Sequence, residues 1–316
     1  MLMLLGNKMK VEFIYGTPAR ADLDGMFGGW LTEHQGQTFL VDCGVGSVGN
    51  TLVERLKARL DGRPLDYVLL THIHLDHAGG LPQIFAAWPG CRVVCHAKGV
   101  RHLTDPARLW ESTCQVMGEL AEVYGRPGPL ELGRIIPHSE ADLPGVAIFE
   151  TPGHAEHHLS FRVGATVFAG EVGGCPVAID GQAFGRPATP PRFFPEITLA
   201  SIDLMLEGPD GPAYFGHTPE PLPLHRTLRT YKAQIQLWLQ ILRHPPLIRG
   251  ESEGLDDYLG RLVEEMYRLD PEMAATPPRP AAEVWVEKIF MRNAVNGFLI
   301  HFADRDRAET KKHNAA

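Results

Sequence analysis

Cysteine is scarce and unpaired in this chain: Cys43, Cys91, Cys95, Cys114 and Cys175 are five in 316 residues, with no CxxC pair. An odd number of widely spaced thiols excludes a disulfide framework and reads as reduced, mostly buried side chains. Long apolar runs are missing too, since no stretch approaches the roughly 18 residues of a membrane span. The run Met1–Leu5 before Gly6 is too short for a secretory core and no small-residue cleavage pattern follows, so a cytoplasmic protein with no membrane partner is expected. Basic charge is in deficit. Thirty Lys plus Arg against 38 Asp plus Glu give −8, and a nucleic-acid partner is not expected. No internal repeat is visible, and no GxSxG elbow offers a covalent serine mechanism.

What is abundant is histidine, with 15 residues whose neutral imidazoles are the commonest metal ligands near neutral pH. Hydrophobic residues at 44% and charged ones at 22% fit a soluble globular chain long enough for about two domains.

The first two thirds interleave strands and helices, which means sheet flanked by helices. Alternating Val11, Phe13 and Tyr15, then Trp30–Glu33 and Thr38–Cys43, read as strands; Ser47–Leu60 carries Leu52, Val53, Leu56 and Leu60 at helical spacing. Asp66–Leu70 reads as a buried strand, Gly80–Trp88 as a helix and Arg92–Cys95 as a strand. Pro106–Tyr124 reads as one helix with Asp105 as its N-cap and Pro106 at its first position. Strands resume at Val146–Glu150, Leu159–Val163, Thr166–Ala169 and Ala213–Phe215. The proline cluster Pro219–Pro223 suits a linker, which divides the chain into a first domain over 1–220 and a helical extension over 221–316. Leu224–Leu242, Leu255–Leu269 and Ala282–Phe302 have helical apolar spacing, and the polar tail from Asp304 is expected to fray. Tyr231, Trp238, Trp285 and Phe290 read as packing residues of that extension.

The chemistry is concentrated after the strand Asp66–Leu70, in Thr71-His72-Ile73-His74-Leu75-Asp76-His77-Ala78-Gly79-Gly80. A strand end sets His72 and His74 side by side, while Asp76 and His77 turn back from the start of the next helix. Three His and one Asp in six residues are hard to place in a core without a metal, and their spacing suits a dinuclear centre. Three further segments each put one ligand-type residue just past a strand: His154 in Thr151-Pro152-Gly153-His154, Glu171 in Phe168-Ala169-Gly170-Glu171, and His217 in Tyr214-Phe215-Gly216-His217.

Taken together, these motifs resemble the metallo-β-lactamase superfamily in its glyoxalase-II-like hydrolase branch, over roughly residues 11–217. The resemblance implies an α/β fold, the four-layer αββα sandwich, followed here by the helical extension. It implies His72, His74 and His154 on one metal and Asp76, His77 and His217 on the second. The family's bridging carboxylate is normally an Asp, and Glu171 stands in its place with one more methylene; it bridges, binds one metal or orients a ligand. Asp42 in Leu40-Val41-Asp42-Cys43-Gly44 resembles the family's early Asp, whose carboxylate accepts the second N–H of a metal-bound imidazole. His157 and His158 stand as substrate contacts, ligand-orienting groups or surface residues. His34, His96, His102, His138, His225, His244, His301 and His313 follow no ligand spacing and read as structural or solvated.

Two divalent ions would supply hydroxide at neutral pH and polarise a carbonyl or phosphoryl oxygen, which makes hydrolysis of an ester, thioester, lactone or related bond in a small-molecule substrate the parsimonious reading. Asp76 would bind one ion and pass a proton to the leaving group. Zinc suits this donor set, as iron and manganese do. Two alternatives from other classes stand beside it: a mononuclear iron dioxygenase of the persulfide type, and a metal-bearing sensor or interaction protein with vestigial hydrolysis. The apolar stripes of the C-terminal helices are suited to covering the metal mouth or forming a homodimer.

Overall fold

A computed structural model describes residues 10–180 and 182–314 of the chain, so the apolar run Met1–Leu5 and the side chain of His313 lie outside the described residues. The chain forms two compact units: one from Met1–Phe149 and Leu159–Phe168, the other from Glu150–His158 and Ala169–Ala316.

In the first unit the elements are β1 (Val11–Tyr15), β2 (Gly28–His34), β3 (Gln37–Val41), α1 (Gly49–Leu60), β4 (Tyr67–Leu69), α2 (Leu75–Ala78), α3 (Leu81–Ala87) and β5 (Arg92–Cys95). They continue with α4 (Val100–Thr104), α5 (Ala107–Met117), α6 (Glu119–Tyr124), β6 (Ile135–Pro137), β7 (Val146–Glu150), β8 (Leu159–Val163) and β9 (Thr166–Gly170), the last residues of β7 and β9 passing into the second unit. Strands β1 to β6 form one sheet in chain order, antiparallel from β1 to β3 and parallel from β3 to β6. Parallel pairing requires crossover helices, and α1 between β3 and β4 is such a helix. It buries Leu52, Val53, Leu56 and Leu60 in a core shared with Leu40, Val68, Leu81 and Val93. Each such burial is worth about 1.5–3 kcal/mol. β8 and β9 form an antiparallel hairpin with Phe161 opposite Phe168. Gly29 on β2 lets two strands come together: a Cβ there would lie 2.0 Å from the carbonyl oxygen of Asp42.

The second unit contains β10 (Val177–Ile179), β11 (Gln182–Phe184), α7 (Pro195–Leu206), β12 (Pro212–Phe215), β13 (Leu222–Pro223), α8 (Leu224–Arg243), α9 (Leu255–Leu269), α10 (Pro271–Ala274) and α11 (Ala281–Asn314). Residues on both sides of position 220 thus share one compact body. Its helices are tied to the segment 185–193 by buried contacts. Arg186 Nε donates to Glu287 at 2.5 Å and Arg186 Nη2 to Thr276 at 2.6 Å; Gln234 donates to Gly185 O; Thr189 Oγ1 donates to the carbonyl of Ala294. Trp238 Nε1 donates to buried Asp270 at 2.7 Å, and Phe298 packs on Phe193 and Trp238. Tyr231 and Trp238 are packing residues, as their spacing suggested.

Three expectations need correction. The single helix over 106–124 is two, α5 and α6, because Gly118 adopts φ +54°, a left-handed conformation that ends one helix and starts the next. Pro106 precedes α5 rather than opening it. The polar tail does not fray at Asp304, since α11 runs on to Asn314 with Arg305–Glu309 and Arg307–Asp304 pairs along its exposed face.

Candidate metal centre

In unit 1, His72, His74, Asp76 and His77 follow the carboxyl end of β4, beside that of the parallel β3, where loops of an α/β sheet gather ligands. Asp42 follows β3 with φ +58°, a left-handed turn that Asp tolerates, and its N–H donates to Leu69 O. Its carboxylate is buried and accepts three hydrogen bonds, each of 2.8 Å. Oδ1 takes the N–H of Thr71; Oδ2 takes the hydroxyl of Thr71 and the Nδ1–H of His77. Thr71 has one hydroxyl proton and gives it to Asp42, so its oxygen accepts the Nδ1–H of His72 at 3.1 Å. The network therefore assigns the proton to Nδ1 in both His72 and His77 and leaves each Nε2 with a lone pair.

The four-residue helix α2 carries Asp76 and His77, and His74 is its N-cap residue. The His72 ring lies 4.5 Å from that of His74 and 4.0 Å from that of His77. The unit thus brings the three imidazoles of the motif together. Asp76 Oδ2 accepts a bond of 3.4 Å from the hydroxyl of Tyr124, a fully buried residue at the end of α6 whose ring stands edge-on to Phe27. No spacing in the sequence joins Tyr124 to Asp76, 48 residues away.

Unit 2 contains His154, Glu171 and His217. His154 lies in the loop after β7, where Pro152 O accepts a bond from Ser201 Oγ at 2.6 Å. Its Nδ1 sits 2.9 Å from Glu171 Oε2 and 3.1 Å from Ala188 O; both are acceptors, so Nδ1 carries the proton and Nε2 the lone pair. His217, at φ +62° beyond β12, has Nε2 3.2 Å from Glu171 Oε1. Glu171 is 3% exposed and touches both imidazoles.

His158, whose role the sequence left open, is fully buried rather than a surface residue. Its Nε2 accepts the backbone N–H of Glu171 at 2.8 Å, so its Nδ1–H points to Thr151 Oγ1 at 2.9 Å. It pins the backbone of Glu171 to the loop that carries His154. Cys175 is a further neighbour that sequence reasoning passed over: ligand-type atoms of Glu171, Cys175 and His217 all lie within 4.8 Å of one another. Among the histidines without ligand spacing, His96 caps a turn by accepting Lys98 N–H at Nδ1 and stacks on His138, and His225 contacts Gly208 O.

A family model described as the metallo-beta-lactamase superfamily matches residues 29–217. A metallo-beta-lactamase fold-containing protein of the archaeon Sulfurisphaera tokodaii is 30% identical over 190 residues, 56% of this chain and 71% of that protein. A hydroxyacylglutathione hydrolase of Stenotrophomonas maltophilia is 27% identical over 141 residues, which is 45% of this chain and 43% of that enzyme. The crystal structure of the archaeal protein superposes with a TM-score of 0.60 over 84% of this chain and 98% of its own at 22% identity. A metallo-beta-lactamase family protein of Thermus thermophilus gives 0.60 over 94% of each chain at 19% identity. The metallo-beta-lactamase α/β fold that the resemblance implied is the fold these structures share with the chain.

Proposed function

The chain belongs to the metallo-beta-lactamase superfamily, and from that membership we propose that it is a hydrolase that uses two divalent metal ions to cleave an ester, thioester or lactone bond of a small molecule. The observation that carries the reading is the fixed tautomer of its imidazoles. His72 and His77 are locked through Thr71 and Asp42, and His154 through Ala188 and Glu171, so that Nε2 of each is kept for a metal. Neutral imidazoles with buried carboxylates are the donor chemistry that zinc, iron and manganese take.

In this reading His72, His74 and His154 hold one ion, Asp76, His77 and His217 the other, and Glu171 supplies negative charge to the pair. Bound there, the ions supply a hydroxide at neutral pH and polarise the oxygen of the scissile bond. The side chains do the rest. Asp42 keeps His77 from turning, because rotation of the ring breaks a buried charge-assisted bond of 2.8 Å. Asp76, whose Oδ2 accepts from the Tyr124 hydroxyl, would bind one ion and pass a proton to the leaving group. His158 holds the Glu171 backbone, so that the longer Glu arm starts from a fixed point. The thioester class is supported by hydroxyacylglutathione hydrolases among the relatives, at 27% to 29% identity.

The test is elemental analysis of the reconstituted protein together with turnover of thioester, lactone, β-lactam and phosphodiester substrates and of glutathione persulfide, with sulfite detection for the last. Two ions per chain, with thioester or lactone hydrolysis lost on chelation and in His74→Ala, is the expected result. One ion or none after full reconstitution, or turnover indifferent to chelation, overturns the reading.

A further inference from the structure

Two loops of the second unit are laced together on both sides of their ligand-type residues. The N–H of Gly216 donates to Gly170 O at 2.8 Å, and the hydroxyl of Thr218 donates to Pro176 O. His217 is thus held between the two ties on one strand of chain, and Glu171 and Cys175 lie between the same two ties on the other. Within the second loop, Gly174 N–H donates to Glu171 O at 3.1 Å and Cys175 N–H donates to Arg186 O at 3.0 Å. This turn brings residues four apart to the same side. The result is a carboxylate, a thiol and an imidazole whose ligand-type atoms lie within 4.8 Å of one another.

We infer that Cys175 is a metal ligand, and that Glu171, Cys175 and His217 are donors to one of the two ions of the proposed centre. The inference rests on that centre being metal-bound. The sulfur would bind as thiolate, its proton leaving to solvent. Three donors from one unit, preset by four backbone and hydroxyl hydrogen bonds, lose little conformational freedom on binding. A soft sulfur donor also favours zinc, cobalt or iron at this position over manganese or magnesium, which prefer oxygen. The thiol therefore narrows the metal choice that the His and carboxylate set leaves open.

Cobalt(II) loaded into the full-length, metal-stripped and reduced chain tests this by absorption, independently of turnover. Thiolate ligation gives a near-ultraviolet sulfur-to-cobalt charge-transfer band, expected in the native chain and in Cys114→Ser, and absent from Cys175→Ser. Cys175→Asp should keep two equivalents of cobalt without the band, which separates loss of the sulfur from loss of the fold. Two bound cobalt ions with no band in the native chain, or a band that survives in Cys175→Ser, overturn the assignment of Cys175 while leaving the dinuclear hydrolase reading intact. No bound cobalt at all overturns both.

Discussion

Exchanging Asp42 for Asn probes the tautomer argument more directly than removing any ligand. Asn keeps the size of the side chain and tolerates the left-handed backbone at φ +58°, so the change is confined to charge and hydrogen bonding. The carboxylate accepts three bonds of 2.8 Å, from Thr71 N–H, Thr71 hydroxyl and His77 Nδ1–H. An amide has one oxygen. If it faces Thr71 N–H, the NH₂ group faces Thr71 Oγ1 and His77 Nδ1, and both must become acceptors. His77 then carries its proton on Nε2, the atom wanted for metal, and the Thr71 hydroxyl, its proton released from position 42, can donate to His72 Nδ1 and move that ring's proton to Nε2 as well. Losing two bonds to a buried charge, at roughly 1.5–3 kcal/mol each, predicts about 3–6 kcal/mol less stability for the metal-free chain. Loss of a partner that orients a metal-bound His lowers metal affinity about 10–100-fold, or about 1.4–2.8 kcal/mol. Urea unfolding of the metal-free protein reads the first number, and competition against a chromophoric chelator reads the second. An Asp42→Asn chain with native unfolding midpoint and native metal affinity would refute the claim that Asp42 sets the tautomers.

Glu171→Ala is expected to bind fewer metal ions, because the carboxylate is the negative group shared by His154 and His217, while Glu171→Asp keeps the charge and retains binding; elemental analysis after dialysis compares them. Truncation after Pro223 removes α8 to α11, and with α11 the partners of Arg186, Thr189 and Phe193, and should give aggregated protein by size-exclusion chromatography; a soluble monomer with native turnover would show the helices to be dispensable to unit 2. Burial pushes the Cys91 and Cys95 thiols up to about 12. The folded chain thus keeps protons that the unfolded chain loses above pH 9, so the stability these thiols contribute is complete below that pH and declines between about 9 and 12. Urea midpoints from pH 8 to 11 should fall, and less steeply in Cys91→Ala/Cys95→Ala; equal slopes would contradict the burial argument.

The sequence alone determined the strand-and-helix order and the place of the chemistry, because both are local. Period-two and period-3.6 apolar patterns mark β1, α1, α8 and α9 to within a residue or two, and His72, His74, Asp76 and His77 are gathered by the six residues that contain them. Local pattern failed where a single residue outweighed it, at Gly118, and where side-chain pairs on a polar face kept α11 helical past Asp304. Only the tertiary structure decided which nitrogen each imidazole offers, because that depends on acceptors 29 to 35 residues away, such as Asp42 for Thr71 and His77. Glu171 between His154 and His217, His158 under the Glu171 backbone and Cys175 beside His217 were likewise fixed by loops tied across 13 to 46 residues. Hydrogen-bond partners at that range are chosen by the packing of whole elements, and no spacing within a loop encodes them.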